Sequence, residues 1–232
     1  METIENERPI GLWILLAATA AVMAKALHAI FLEVPTEITM GVVQRIFYFH
    51  VASGWVGMLA FIVSGGASIA YLATRNLRWD RWGVCAAEVG VIYCSVVLVT
   101  GPIWAKPVWG IWWTWDARLT STFVLWLNYV AYLLLRGFLD DPERRAAISA
   151  VFSIIGMLDV PIVYMSIRWW RTQHPQPVIG GGAGSGLDSQ MWLGLLQALA
   201  ALLLLFAALM YQRLQLEAAR QEVDALRREV LS

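Results

Sequence analysis

The sequence predicts an all-α, polytopic membrane protein with six transmembrane helices. Hydrophobic residues fill 59% of its 232 positions and charged residues only 15%, whereas soluble domains are about half apolar and about a quarter charged. The mean hydropathy is +0.61. A span needs roughly 20 apolar residues, and in lipid only a helix or a closed barrel satisfies its own backbone. The long apolar stretches therefore predict helices at 11–31, 47–73, 84–103, 119–136, 146–167 and 190–211.

The first three helices are distinguished by their flanks and by their polar residues. Three glutamates and a single arginine precede the first helix, whereas a secretory signal begins with basic residues, so we expect an uncleaved helix. His50 opens the second helix. Cys85 and Cys94 are nine positions apart on the third helix, which places them on opposite faces at about 100° per residue and predicts no disulfide between them.

The last three helices carry their own signals. Asp116 precedes the fourth helix and is a good N-cap residue. Lys25 in the first helix and Asp159 in the fifth lie at similar depths, ~21 and ~20 Å from their helix starts, so we expect the two side chains to meet, directly or through a water molecule. After a transmembrane domain over 1–211, the segment 212–232 is predicted to continue the sixth helix as a tail with an apolar stripe of Leu216, Ala219, Val223, Leu226 and Val230.

The distribution of lysine and arginine predicts that both termini are cytoplasmic, because positive residues concentrate on the cytoplasmic side. Eleven lie on the side of the termini: Arg8, Arg75, Arg78, Arg81, Arg136, Arg144, Arg145, Arg213, Arg220, Arg227 and Arg228. Only five lie on the other: Arg45, Lys106, Arg118, Arg168 and Arg171. The loops 104–118 and 168–189 are therefore predicted to face outward.

The informative polar and aromatic residues fall on this outer side. Loop 104–118 holds five tryptophans within twelve positions, His50 lies at the outer end of the second helix, and His174 lies in loop 168–189. Tryptophans commonly anchor membrane interfaces, and a single histidine can be a plain interfacial residue. The density of indoles beside two histidines favours a binding site instead. His28 lacks such a setting, and we expect it to be structural.

A porphyrin matches this set of residues. Indole faces suit a flat apolar macrocycle, two imidazoles are a common axial pair for haem iron, and propionates suit arginine or lysine. On charge alone, the candidate propionate partners are Arg45, Lys106, Arg118 and Arg168. Asp116 and Arg118 could instead pair with each other or cap the fourth helix.

The motifs also resemble a known family. "WGIWWTWDARLTS", at 109–121, is similar to the tryptophan-rich WWD signature of haem-handling membrane proteins in cytochrome c maturation. The length, the six helices and the segments "RIFYFHV", "MLDVPIVYMSIRWW" and "TQHP" resemble CcmC rather than the longer CcmF or the CcsA-type proteins. This similarity covers about 40–175.

The resemblance implies that the protein holds haem, expected as haem b, at the outer face of the bacterial inner membrane and delivers it to the haem chaperone CcmE. The implied partners in an ABC transporter complex are the ATPase CcmA and the membrane subunits CcmB and CcmD. The implied axial ligands are His50 and His174, and the implied platform consists of Trp109, Trp112, Trp113, Trp115 and Asp116.

Other function classes stay open at this stage. An export permease for haem or another small molecule would concentrate polar residues at mid-membrane, and a b-type cytochrome would carry histidine pairs inside the bilayer. A CcsA-like cytochrome c synthase component is a further alternative. No Cys-x-x-Cys-His occurs, and the flexible glycine run 180–186 lacks the lysine of a phosphate loop. We therefore expect a binding subunit rather than an enzyme, with ATP hydrolysis in another chain and no nucleic-acid partner.

Overall fold

The computed structural model describes residues 10–175 and 186–231 and is all-helical there. The helices are α1 Ile10–His28, α2 Ile46–Thr74, α3 Leu77–Trp109, α4 Ala117–Arg136, α5 Pro142–Trp169 and α6 Ser189–Leu231. All six are long and apolar enough to cross a membrane, so the predicted fold class is confirmed. The acidic N-terminal segment and most of the glycine run, 180–185, lie outside the described residues.

Helix α3 extends well beyond its predicted ends, whereas α6 continues into the tail as the sequence predicts. Helix α3 continues through Pro102 and Pro107, because neighbouring structure in a membrane bundle can satisfy the carbonyls that proline frees. The loop predicted at 104–118 is therefore shortened to 110–116, which we call the tryptophan loop, and it begins at Gly110 with a φ of +74°. Helix α6 runs unbroken to Leu231, so residues 212–231 extend the last span as a helix.

Helix α2 lies at the centre of the bundle and packs against α3, α5 and α6, while α1 packs along α6 and α4 along α5. Small residues allow these close approaches, as in other membrane bundles. A Cβ on Gly90 of α3 would come within 2.5 Å of the Phe61 ring on α2. The Phe61 ring in turn stacks on Tyr129 of α4, with 4.0 Å between the ring centroids.

Two buried polar side chains, Tyr129 and Arg136, join helices of the bundle to one another. The Tyr129 hydroxyl lies 3.1 Å from the Phe61 carbonyl and 3.0 Å from that of Ser153, so it fastens α4 to α2 and α5. At the end of the bundle opposite the tryptophan loop, Arg136 binds both carboxylate oxygens of Asp80 at 2.6 and 2.8 Å. This bidentate pair joins the last residue of α4 to the first turn of α3.

The expected direct contact between Lys25 and Asp159 is wrong. Among the described ion pairs none joins these two side chains. The reason is the packing order, because α1 packs along α6 whereas α5 packs on α2 and α4. Lys25 is exposed on α1, and Asp159 leaves its buried Oδ2 without a hydrogen-bond partner in the part of the chain that is described.

Candidate functional site

A cleft opens at the tryptophan-loop end of the bundle and descends between α2, α3, α4 and α5. Its empty space, counted together with the open mouth, is about 1190 Å³. Its wall extends along α2 from His50 to Phe61, eleven residues further, or ~16 Å at 1.5 Å per residue. The cleft therefore reaches about three turns into the bundle.

His50 forms one wall of the cleft from a fixed position on α2. Its imidazole is buried, with the residue only 8% exposed, and lies edge-on to the Trp104 ring at 5.7 Å between centroids. Its Nδ1 lies 2.8 Å from the Thr100 hydroxyl oxygen on α3. That hydroxyl donates its single hydrogen to the Val96 carbonyl at 2.7 Å. With this hydrogen donated to the Val96 carbonyl, the Thr100 oxygen accepts from Nδ1–H, and His50 then presents an unprotonated Nε2.

His174 lines the same cleft from the segment that follows α5. Its Nδ1 lies 2.9 Å from the Pro175 carbonyl oxygen, which can only accept, so Nδ1 carries the hydrogen and Nε2 is again unprotonated. Burial and, to a smaller extent, the positive charge of Arg118 lower the pKa of His174 to about 4. The imidazole is therefore neutral at pH 7, which is the form that binds metals.

Asp116 connects the tryptophan loop to the segment that carries His174. Its Oδ1 accepts from the Leu119 amide at 3.0 Å and so caps α4. Its Oδ2 accepts from the hydroxyls of Thr172 at 2.7 Å and Thr114 at 3.2 Å. Burial acts to raise the pKa of Asp116, but these hydrogen bonds lower it by more, so the net shift is downward and the carboxylate is ionised.

Five tryptophans line the cleft: Trp55, Trp104, Trp109, Trp112 and Trp113. Trp104 is 5% exposed and lies 5.8 Å from Trp109 between ring centroids. The indole nitrogens of Trp104 and Trp113 are buried and have no hydrogen-bond partner among the described residues.

Of the predicted cations, Arg118 alone lines the cleft. Its Nη1 donates to the Val163 carbonyl of α5 at 2.6 Å, which fixes the guanidinium at the level of the tryptophan loop. Arg45 donates instead to the Phe31 carbonyl at 2.5 Å, and Lys106 donates to the Gly110 carbonyl at 3.0 Å, where it closes the end of α3. Arg168 lies over the Tyr164 ring, with its Cζ 5.7 Å from the centroid.

The structure thus brings together seven of the eleven predicted site residues: His50, His174, Trp109, Trp112, Trp113, Asp116 and Arg118. Trp115 does not line the cleft; it is 73% exposed and packs on Trp113. Sequence reasoning missed Thr100 and Thr172, which orient the two histidines, because a threonine beside an apolar helix or a loop carries no distinguishing signal. Trp104 belongs to the predicted tryptophan cluster but was not among the predicted site residues.

The amino-acid sequence is similar to one protein family and to several individual proteins. Residues 5–229 match the family model described as CcmC, "Heme exporter protein C". A protein of that name from Bradyrhizobium diazoefficiens is 34% identical over 91% of this chain and 80% of its own length. Another from Rhodobacter capsulatus is 26% identical over 92% of the chain and 88% of its own length. The one from Escherichia coli K12 is 36% identical over 60% of the chain and 57% of its own length.

Proposed function

This chain belongs to the CcmC, or haem exporter protein C, family, and from that premise we propose that it binds haem b between His50 and His174 and delivers it to a CcmE-type chaperone. The coarser role, haem handling for cytochrome c maturation, follows from the family itself. The observation that carries the finer proposal is the pair of unprotonated Nε2 atoms that two separate segments present to one cleft.

The rest of the cleft supports a haem cargo. Haem iron takes axial ligands from both faces of the macrocycle, and neutral imidazoles held by hydrogen bonds at Nδ1 are the usual form of such ligands. Arg118, which lines the cleft, supplies a guanidinium for a propionate. The apolar floor, which includes Phe61 and Leu125, accepts a hydrocarbon ring.

The mouth of the cleft supports transfer to a partner. Trp112 is 57% exposed, and Trp115 in the same loop is 73% exposed and contacts Trp113 of the cleft lining, so aromatic surface continues from the cleft to the outside. Exposed tryptophans are frequent contact residues in protein interfaces. We propose that this rim receives the chaperone and that the chain acts as a binding and transfer subunit without enzymatic activity of its own.

We further propose how the site is oriented in the membrane and which subunits accompany the chain. The arginine distribution favours termini in the cytoplasm and a cleft that faces the periplasm from the inner membrane. Six spans return the chain to the side from which it started. The remaining Ccm subunits, namely a CcmA-like ATPase with CcmB-like and CcmD-like membrane proteins, would complete the complex.

The test is a haem titration of the purified apoprotein with three single substitutions. His50→Ala and His174→Ala should each convert a low-spin, six-coordinate absorption spectrum into one with a single protein ligand. His28→Ala is the matched control, because His28 is exposed and pairs with Glu33 outside the cleft. It should bind haem as the unsubstituted protein does.

The proposal fails if the double variant His50→Ala/His174→Ala keeps the six-coordinate spectrum. It also fails if all three single variants behave alike, because haem would then bind elsewhere or only through its apolar ring. Recovery of the chaperone with the haem-loaded protein, and its loss in the double variant, would test the transfer step separately.

A further inference from the structure

The two histidines are held in different ways. His50 lies within α2, where the helix backbone, the Thr100 hydroxyl and the Trp104 ring fix its imidazole. His174 lies five residues beyond the end of α5, in a segment without regular structure. A helix-held side chain moves only with the bundle, whereas a loop side chain moves with the few bonds that fasten its loop.

Two connections to Asp116 fasten the His174 segment: the Gln173 backbone amide donates to the carboxylate, and Thr172 forms a directed chain of hydrogen bonds. The Thr172 hydroxyl has one hydrogen, which it donates to Asp116 Oδ2 at 2.7 Å. Its oxygen accepts from the backbone N–H of His174 at 3.0 Å. The ionised carboxylate can only accept, so the direction of both bonds is fixed. Asp116 also caps α4. The hydrogen bonds through Asp116 therefore fix the position of His174 relative to the start of that helix.

We propose that Asp116, through Thr172, positions His174 and that His174 is the axial ligand that haem iron releases first during transfer. This inference rests on the proposed haem site and extends it to the order of ligand exchange. Asp116 and Thr172 act as positioning residues, since neither is assigned a bond to iron.

The release step balances without a redox change. The bond between iron and His174 Nε2 breaks, the electron pair stays on the nitrogen, and the imidazole returns to its neutral form. The vacated position takes another neutral donor, such as water or an imidazole that an incoming protein supplies. The bond to His50 persists until the second exchange. Opening the Thr172 bonds costs little, because a net hydrogen bond contributes about 0.5–1.5 kcal/mol and one to a charged group about 1.5–3.

The experiment measures the rate at which carbon monoxide binds to the dithionite-reduced, haem-loaded protein. Carbon monoxide enters only after one axial ligand has left, so its binding rate at saturating gas reports the release of the weaker ligand. Thr172→Val removes the hydroxyl at nearly constant volume and should raise this rate about 10- to 100-fold, the usual effect of losing a ligand-orienting partner. Thr172→Ser restores a hydroxyl and should return the rate to near the original.

Thr114→Val is the matched control, because Thr114 donates to the same Asp116 Oδ2 but makes no recorded bond to the His174 segment. It should leave the rate within about twofold. A second readout uses the apoprotein: hydrogen exchange over residues 170–175 should quicken in Thr172→Val and not in Thr114→Val. This readout depends on neither bound haem nor transfer.

Three outcomes separate the two proposals. If the unsubstituted protein lacks a six-coordinate spectrum, the haem ligation itself is wrong. If that spectrum is present and Thr172→Val leaves both the carbon monoxide rate and the exchange unchanged, the positioning role is overturned. If Thr172→Val and Thr114→Val accelerate the rate equally, the effect is a general loosening around Asp116, and the directed chain to His174 is refuted.

Discussion

Replacing Thr100 with valine should weaken haem binding although Thr100 is not assigned a contact with haem. The hydroxyl oxygen accepts from His50 Nδ1–H at 2.8 Å, and this bond keeps the proton away from Nε2. Without it, the buried imidazole has no recorded partner for Nδ1–H, and water is largely excluded because His50 is 8% exposed. The proton then shifts toward Nε2, which is the atom that must bind the iron.

The expected loss of haem affinity can be estimated from other metal-binding histidines. Loss of a group that orients a metal-binding histidine typically lowers affinity 10- to 100-fold, or about 1.4–2.8 kcal/mol at 1.4 kcal/mol per tenfold. An unsatisfied buried donor costs about 1–3 kcal/mol, so the two estimates agree. Thr100→Ser keeps the hydroxyl and should recover most of the affinity.

The assay is a titration of apoprotein with haem, monitored at the Soret band. Thr19→Val is the control, because Thr19 is 7% exposed and makes the same kind of bond to the carbonyl four residues earlier, at 2.7 Å, on α1 away from the cleft. Equal affinity in Thr100→Val and Thr19→Val would refute the tautomer argument. Equal losses in Thr100→Ser and Thr100→Val would show that packing, and not the hydroxyl, is responsible.

Three further predictions concern pH, stability and topology. Because the pKa of His174 is lowered to about 4, the His174-dependent part of haem affinity should stay constant from pH 7.5 to about 5 and fall only near pH 4; a tenfold loss per unit below pH 6.5 would contradict this. Asp80→Ala leaves Arg136 buried without its partner and should destabilise the protein by about 3–5 kcal/mol, whereas Asp80→Leu/Arg136→Met should cost less; both are measured by unfolding in detergent. Thr39→Cys should react with an impermeant maleimide added to spheroplasts and Gln215→Cys should not, against the low background of two buried native cysteines; the reverse pattern would invert the topology.

The sequence predicts the fold well because one requirement dominates it: each span needs a long run of apolar residues to occupy the bilayer. Hydropathy and length locate all six spans, since few other segments of this chain could occupy a bilayer. The prediction ended α3 too early, at 103, because a proline such as Pro107 usually stops a helix in water. Inside the bundle α3 continues through Pro102 and Pro107 to Gly110, where a positive φ ends it.

The site is predicted less completely, and the misses have a common cause. Histidines and tryptophans are rare enough for their clustering to be noticed in the sequence. The positive charge of a residue does not indicate where its side chain points. Arg118 reaches the cleft, whereas Arg45 and Lys106 bind backbone carbonyls outside its lining. The bond between Thr100 and His50 joins residues fifty positions apart, and only the packing of α2 against α3 creates it.

The polarity of the cleft determines how an amphipathic ligand can enter it. The charged lining residues, Asp116 and Arg118, lie at the start of α4, beside the tryptophan loop. The floor is formed by apolar side chains such as Phe61 and Leu125, both almost fully buried. A flat ring with carboxylates along one edge gains hydrophobic energy only if its apolar edge enters first, since a buried carboxylate at the floor would cost several kcal/mol. The cleft therefore orients such a ring with its carboxylates toward Arg118 and the mouth, from which a partner can take it without first drawing a charged edge through the apolar interior.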